Sequence, residues 1–313
     1  MKKQESYGKF DFVGKSLFFG GISALLVVLS LVYLSVKGIS WGIDFLGGTE
    51  VQVKFESTVK IDELRSLVDK QGLVNPGLQS FGDDKEYIIR FQLPVKGTEK
   101  EINQVSRANI ERLKGALTKE FAAQKPEFRR VDSVGPQVGA ELKKNGFLSV
   151  FYCLLIILIY IGLRFDYKYS PGAVVCLAHD AVITLALFVL VGKEVNIPIL
   201  AAILTLIGYS LNDTIVVFDR IRETEGLYAD RGIKFIINKA INEMLQRTII
   251  TSGTTLTCAT ALWLLTDGVV ADIAFALVIG IIFGTYSSIY VAAPFVILFD
   301  RGTNKALAQA HSA

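Results

Sequence analysis

Six long apolar stretches constrain the fold of this chain more than any other feature of its sequence. They cover residues 17–36, 147–163, 171–191, 197–218, 248–266 and 273–299. A helix that crosses a bilayer needs about 20 predominantly apolar residues, and the stretches are close to that length. We therefore predict a polytopic α-helical membrane protein with six transmembrane helices, and a mean hydropathy of +0.43 agrees with this class.

The first apolar stretch follows a polar, basic segment, residues 1–16, so a cleaved signal peptide is an alternative interpretation. We reject it because residues 17–36 are longer than a typical signal-peptide core and no A-x-A-like cleavage site follows them. We expect this stretch to be retained as the first membrane helix.

The segment 37–145, between the first two spans, is polar and long enough for one small domain. Alternating and helical periodicities predict the order β-α-β-β-α-β, which is a ferredoxin-like α+β arrangement. The predicted strands are 49–56, 78–82, 86–93 and 128–134, and the predicted helices are 61–71 and 99–123. This segment contains no histidine and no cysteine, so we expect it to be non-catalytic.

Charge counts predict the orientation of the chain in the membrane. Fourteen lysines and arginines lie in the segments expected on the cytoplasmic side, whereas the short loops on the other side carry only Lys193. Positive charge marks cytoplasmic loops. Residues 1–16 and the tail 300–313 are therefore predicted to be cytoplasmic, and the domain 37–145 to be extracytoplasmic.

The fourth stretch contains Asp213, and a carboxylate inside the membrane is costly and usually functional. Arg247 stands at the start of the fifth stretch, and Thr251 and Thr255 follow it at intervals of four on one helix face. If that face meets the fourth span, Asp213 and Arg247 are candidates for a proton relay. An inert ion pair that fixes helix register stays open as an alternative, as does an Arg247 that snorkels to the interface.

Other polar residues inside the spans are His179, Asp180 and Asn212. Adjacent helix positions point about 100° apart, so we do not expect His179 and Asp180 to be partners. Either could join the relay or act as packing glue between helices. For Asn212 we favour hydrogen bonding between helices.

The composition gives little support for a metal site, a disulfide framework or a nucleic-acid-binding site. The chain has two histidines, three cysteines inside apolar runs and a net charge of +3. These counts disfavour a multi-histidine metal site, a disulfide framework and a nucleic-acid partner.

The sixth stretch carries small residues at strict four-residue spacing, which lets another helix approach closely. These residues are Ala276, Gly280, Gly284, Ser288 and Ala292. Their partner helix could belong to this chain or to a second subunit.

Several motifs in these segments resemble one known family. They are residues 42–48 (GIDFLGG), 134–142 (VGPQVGAEL), 178–184 (AHDAVIT), 208–223 (GYSLNDTIVVFDRIRE) and 247–255 (RTIITSGTT). Nearly the whole chain resembles the SecF branch of the SecD/SecF family of protein-export membrane proteins, within the resistance-nodulation-division (RND) superfamily.

The resemblance implies a transport subunit and not an enzyme. Such proteins assemble with SecD into a twelve-span unit that associates with the SecYEG channel, and YajC is a further candidate partner. The unit uses the proton-motive force to help preproteins cross the cytoplasmic (inner) membrane of a bacterium, so the domain 37–145 would be periplasmic and no cofactor is expected. The family's proton-conducting Asp and Arg correspond to Asp213 and Arg247.

Two other classes remain as alternatives. RND-type exporters of small molecules or lipids share this membrane plan, but they usually carry two six-span repeats and larger external loops. An intramembrane aspartyl protease could use Asp180 and Asp213, but the local motifs of those enzymes are absent here. Both are less favoured than the transport subunit.

Overall fold

The computed structural model describes residues 8–81, 83–94 and 97–300, and it leaves out the side chains of Asp83, Asp84 and Glu99. Residues 1–7 and 301–313 lie outside this range. The predictions for most of the cytoplasmic tail and for the first half of the N-terminal segment fall on them, and they also contain His311.

Six helices in the described part of the chain are long and apolar enough to cross a membrane. They are α1 (Phe12–Lys37), α5 (Pro136–Arg164), α6 (Ser170–Leu190), α7 (Ile197–Leu227), α8 (Ile233–Leu265) and α9 (Gly268–Ser287), which continues through a π-helical turn, Ser288–Ala292. The predicted number and order of spans are therefore confirmed.

The sequence predicts a polar, basic connection over residues 219–247, whose second half has the periodicity of an amphipathic surface helix, and this prediction is wrong. α7 runs on to Leu227 and α8 already starts at Ile233, so the connection is only residues 228–232. No proline interrupts residues 233–265. An α-helix without such a breaker continues at little cost, so the amphipathic part and the fifth span form one helix.

The helices α6 and α7 lie at the centre of the bundle, and α1 lies at its edge. Over their most apolar windows, 56% of α6 and 44% of α7 are buried inside the protein, compared with 11% of α1. The core between them includes Leu177, Ile207 and Phe218. Polar side chains on the inward faces of α6 and α7 therefore lie inside protein and away from lipid.

The segment between α1 and α5 forms the predicted ferredoxin-like domain. Its strands are β1 (Gly48–Lys54), β2 (Val74–Phe81), β3 (Asp83–Gln92) and β4 (Glu127–Val134), and its helices are α3 (Ile61–Lys70) and α4 (Glu99–Glu120). The strands form one antiparallel sheet in the order β2-β3-β1-β4. Apolar residues of the strands and of both helices, such as Val51, Leu64 and Leu113, form its core.

A short helix that the sequence did not suggest, α2 (Ile43–Leu46), joins α1 to the domain. It packs on the start of α5, where Gly47 has a positive φ of 72° and a Cβ at Gly139 would lie 2.8 Å from the Gly47 nitrogen. Only residues without side chains allow this approach of two backbones. Gly47 and Gly139 therefore allow α2 and α5 to lie in close backbone contact.

Three contacts fix the domain to the loop before α7. Trp41 forms a parallel β-bridge with Val195, and Asp44 Oδ2 accepts a hydrogen bond from the backbone nitrogen of Ile197 at 3.0 Å. Arg90 of β3 donates to Glu50 of β1 and to Glu194 of the loop, both at 2.7 Å. We call these ion pairs the Arg90 clasp.

The charges of the clasp support one another. Burial on its own lowers the pKa of the Arg90 guanidinium, but Glu194 and Glu50 outweigh it and raise this pKa above its usual value. Arg90 therefore stays charged at any physiological pH. The clasp joins the sheet of the domain to the loop that precedes α7.

The two ends of the bundle are distinct. The loop 191–196 lies on the side of the domain, and Lys193 forms an ion pair there with Asp272 near the start of α9. At the opposite end, Lys168 pairs with Glu225 at 2.8 Å. Lys193 and Asp272 therefore lie at the end of the bundle next to the domain, and Lys168 and Glu225 lie at the other end.

Candidate functional site

Asp213 lies on the buried face of α7, where its carboxylate contacts α8. Its exposed fraction is 4%, and Oδ2 accepts a hydrogen bond from Oγ of Ser252 at 2.9 Å. Taking a carboxylate out of water is costly unless hydrogen-bond donors compensate for the lost hydration. Ser252 of α8 thus supplies the hydroxyl that compensates the buried carboxylate of Asp213 on α7.

The structure does not form the expected pair of Asp213 and Arg247. Arg247 is exposed, and no ion pair joins it to Asp213 within the described ranges. Ser252 follows Arg247 by five residues, so the two side chains point about 140° apart on α8. A helix that turns Ser252 toward Asp213 therefore turns Arg247 out of the bundle.

The face of Thr251 and Thr255 meets α7 through Tyr209. The Tyr209 hydroxyl lies 3.1 Å from the carbonyl oxygen of Thr251 and 3.1 Å from Oγ1 of Thr255. Thr251 Oγ1 itself donates to the carbonyl oxygen of Arg247 at 3.0 Å. These threonines therefore bond to nearby backbone and to Tyr209, while Ser252 alone of this segment reaches Asp213.

A second buried carboxylate lies one helix away. Asp180 of α6 is 0% exposed and its Oδ1 lies 2.8 Å from Nδ1 of His179. The expectation that these neighbours are not partners is wrong, because rotation about the side-chain bonds brings the imidazole beside the carboxylate despite the angle between the two Cβ directions.

Two serines that the sequence analysis missed complete the surroundings of Asp180. Oδ2 accepts hydrogen bonds from Ser210 of α7 at 2.5 Å and from Ser287 of α9 at 2.9 Å. Both lie beside residues that were singled out, because Ser210 stands two positions before Asn212 and Ser287 one before Ser288. Their spacing could have suggested a polar face, but which helix they contact depends on packing.

The small residues of α9 pack against α7 of the same chain. A Cβ at Gly280 would lie 2.2 Å from Leu206, and one at Gly284 would lie 3.2 Å from Cβ of Ser210. Ala276 and Ser288 are buried as well. The absence of side chains at these glycines lets Ser210 and Ser287 reach the same carboxylate oxygen.

Asn212 differs from the expectation for it. It is exposed on α7 and no hydrogen bond joins it to another helix in the part of the chain that the structure describes. Gly208 and Thr205 are exposed on the same face. An amide in the middle of a membrane helix is costly in contact with lipid, so this face, which we call the Asn212 face, suits contact with further protein.

These features define a class of protein: a multi-pass membrane protein with ionisable groups in its helix bundle and one ferredoxin-like domain beside the membrane. Residues 114–302 match the family model of the protein export membrane protein SecD/SecF, C-terminal region, and residues 32–59 match that of the SecD/SecF GG motif. The chain belongs to the SecD/SecF family of protein-export membrane proteins.

Curated relatives match over most of their length. The protein translocase subunit SecF of Desulfurispirillum indicum is 43% identical over 87% of this chain and 85% of its own. The proteins of the same name from Calditerrivibrio nitroreducens and Escherichia coli O157:H7 are 41% and 38% identical, over 92% and 93% of this chain. These names fit a non-enzymatic role.

Solved structures of SecDF share the fold. The crystal structure of SecDF from Thermus thermophilus, described as a translocon-associated membrane protein, matches 94% of this chain with a TM-score of 0.81 and 32% identity. SecDF in a super-membrane-facing form matches 97% of it with a TM-score of 0.69. This chain spans only 39% and 40% of those two chains.

Proposed function

We propose that this chain is the SecF-type half of a membrane unit that uses the proton-motive force to help polypeptides complete export through the Sec translocase. The family and the names of the relatives support the role in export. The observation that carries the proton coupling is the Asp213 carboxylate, buried in the bundle with one serine as its hydrogen-bond donor.

The missing half of the unit is a SecD-type partner. This chain corresponds to about two fifths of the length of SecDF, which supports a SecD-type partner as the rest of the unit. The Asn212 face, polar and exposed, supports contact with a second helix bundle. SecYEG, YajC and the translocating preprotein are the further partners of the assembled unit, and lipid surrounds it.

Protonation of Asp213 is the step that couples the proton-motive force to a change in helix packing. One charge that moves across a potential of 100 mV yields about 2.3 kcal/mol. A neutral Asp213 loses its charge-assisted bond with Ser252 and its attraction to Arg247, and the contact of α7 with α8 then repacks. Arg247 acts at long range, since Asp213 has a hydroxyl as its direct partner.

The domain responds through α7. This helix is continuous between Asp213 and its first residue, Ile197, whose backbone nitrogen is held by Asp44. A shift of α7 along its axis therefore pulls on α2 and on the Arg90 clasp. The domain lies on the periplasmic side of the cytoplasmic membrane, as the distribution of lysines and arginines indicates.

The test is late-stage translocation of a preprotein in energised inverted vesicles. We expect Asp213→Asn to abolish the stimulation by the proton-motive force while the SecD-type partner still co-purifies. Asp230→Asn, which removes a carboxylate from the exposed connection 228–232, is the matched control and keeps the stimulation. Full stimulation with Asp213→Asn would show that this residue is structural and would refute the proton coupling.

A further inference from the structure

We propose that His179 and Asp180 form a second proton-binding pair in the membrane bundle, separate from Asp213. Its role in transport rests on the proposed function, whereas the exchange of a proton is a property of the two side chains and can be measured without transport.

The surroundings of Asp180 are those of a proton-binding group and not of a simple packing contact. Its carboxylate faces donors from three helices: the His179 ring on α6, Ser210 on α7 and Ser287 on α9. Hydrogen bonds of this number can hold an ionised carboxylate in an apolar core. Serine hydroxyls can also turn to accept from a neutral carboxyl, so both protonation states find partners.

His179 has one ring nitrogen left open. Its Nε2 is buried and has no hydrogen-bond partner in the described structure, while Nδ1 is engaged by Asp180. The residue lines a cavity of about 610 Å³ between α1, α6 and the end of α9. Packing glue would leave no polar atom unsatisfied, whereas a group that accepts protons needs one free site.

The proton balance of the pair is simple. It starts as a neutral imidazole with its hydrogen on Nδ1 beside an ionised carboxylate, with a net charge of −1. A proton added to Nε2 allows the Nδ1 hydrogen to pass to Oδ1 of Asp180. The pair then holds a neutral imidazole with its hydrogen on Nε2 and a neutral carboxyl, so it has bound one proton.

Polar groups continue from Asp180 toward both ends of the bundle. Ser287 Oγ lies 3.1 Å from Sγ of Cys176, which in turn lies 3.8 Å from Oγ1 of Thr214, on the side away from the domain. Thr184, one turn from Asp180 on the side of the domain, has a buried hydroxyl without a partner in the described structure. These polar groups lie within an otherwise apolar core.

Few other titratable groups face Asp180. His179 and Cys176 are on its own helix, and Asp213 lies one turn beyond Ser210 on α7 with its hydrogen bond to α8.

The other helices bring no charged side chain to this region: residues 16–36 of α1, 147–163 of α5 and 273–299, which include most of α9, contain no charged residue. α9 turns Tyr286 and Tyr290 toward Phe19 of α1. No described residue hydrogen-bonds to both carboxylates, so the two sites are separate.

The proposal can be tested by infrared difference spectroscopy of the full chain in lipid bilayers as a function of pH. A neutral carboxyl has a C=O stretching band that an ionised carboxylate lacks. We expect Asp180→Asn to remove one pH-dependent carboxyl band and Asp213→Asn to remove a different one, while Asp230→Asn changes neither. A spectrum that is unchanged in Asp180→Asn overturns the proposal.

A second variant keeps the test decisive if Asp180→Asn does not fold. His179→Gln retains a side-chain amide beside Asp180 but cannot bind a proton, so the pH at which the Asp180 band appears should shift, while the Asp213 band stays in place. A wild-type titration of both bands in His179→Gln overturns the pairing. The two proposals are refuted by different measurements. If Asp213→Asn keeps the stimulation of translocation by the proton-motive force, the proposed function is refuted, whereas the infrared band of Asp180 still decides this inference.

Discussion

At the scale of single residues, the two buried carboxylates differ in their hydrogen-bond donors. Asp180 has three from three helices, and Asp213 has the Ser252 hydroxyl of α8. A carboxylate with one donor depends strongly on it, because a buried charge without compensation is very costly. Ser252 is therefore the residue around Asp213 whose loss should matter most, although sequence reasoning pointed to Arg247.

We predict that Ser252→Ala lowers the translocation stimulated by the proton-motive force and destabilises the protein by about 1–3 kcal/mol, since it leaves Asp213 unpaired. Thermal unfolding of the purified protein and the vesicle assay would measure the two effects. The matched control is Thr257→Ala, since the Thr257 hydroxyl is exposed on the same helix and bonds only to the carbonyl oxygen of Gly253. Equal behaviour of both variants would contradict the assignment of Ser252.

At the scale of elements, backbone contacts decide how the domain meets the bundle. α2 and the start of α5 approach so closely that a Cβ at Gly139 would lie 2.8 Å from the Gly47 nitrogen and 3.2 Å from the Phe45 carbonyl. Backbone atoms cannot turn aside as a side chain can, so even a methyl group has to move one element away from the other.

We predict that Gly139→Ala destabilises the protein by about 1–3 kcal/mol, the usual cost of overpacking, and loosens α2 from α5. The control is Gly162→Ala on the same helix, where the added Cβ would meet only the Ser170 hydroxyl, at 3.4 Å. Thermal unfolding of both variants checks this, and a midpoint for Gly139→Ala as high as that of the control would speak against the close contact.

At the scale of the whole molecule, the domain and the bundle are joined by a few polar contacts beside the first turn of α7. Arg90 of β3 forms ion pairs with Glu50 of β1 and with Glu194 of the loop before α7. Asp44 accepts a hydrogen bond from the backbone nitrogen of Ile197, the first residue of α7. Ile197 is the first residue of the helix that carries Asp213, and Glu194 lies in the loop just before it, so a change at mid-membrane reaches the domain through one rigid element.

We predict that Arg90→Gln weakens this junction by about 1 kcal/mol, which corresponds to an about fivefold larger equilibrium constant for its opening. Hydrogen exchange should report it at the amides of Gly42 and Val195, which form the backbone bonds between the two parts. Arg129→Gln, which removes an exposed arginine paired with Glu127 on β4, should leave that exchange as it is. Unchanged exchange in both variants would mean that the clasp contributes nothing.

The number and order of the spans and the ferredoxin-like domain could be predicted from the amino-acid sequence alone. Both follow from local properties, because a span is read from the length of an apolar run and a strand from alternation over a few residues. Asp213, His179 and Asp180 could be recognised in the same way, since an ionisable residue in an apolar run stands out wherever the helix is placed.

The partner of each polar group, by contrast, follows from the packing of the helices and could not be predicted from the sequence. Ser252 in place of Arg247 beside Asp213, Ser210 and Ser287 on Asp180, and the outward position of Asn212 depend on how each helix is rotated against its neighbours. A rotation of about 100° separates one residue from the next, and it is set by packing between helices far apart in the chain, where close approach at small residues such as Gly284 selects the contact.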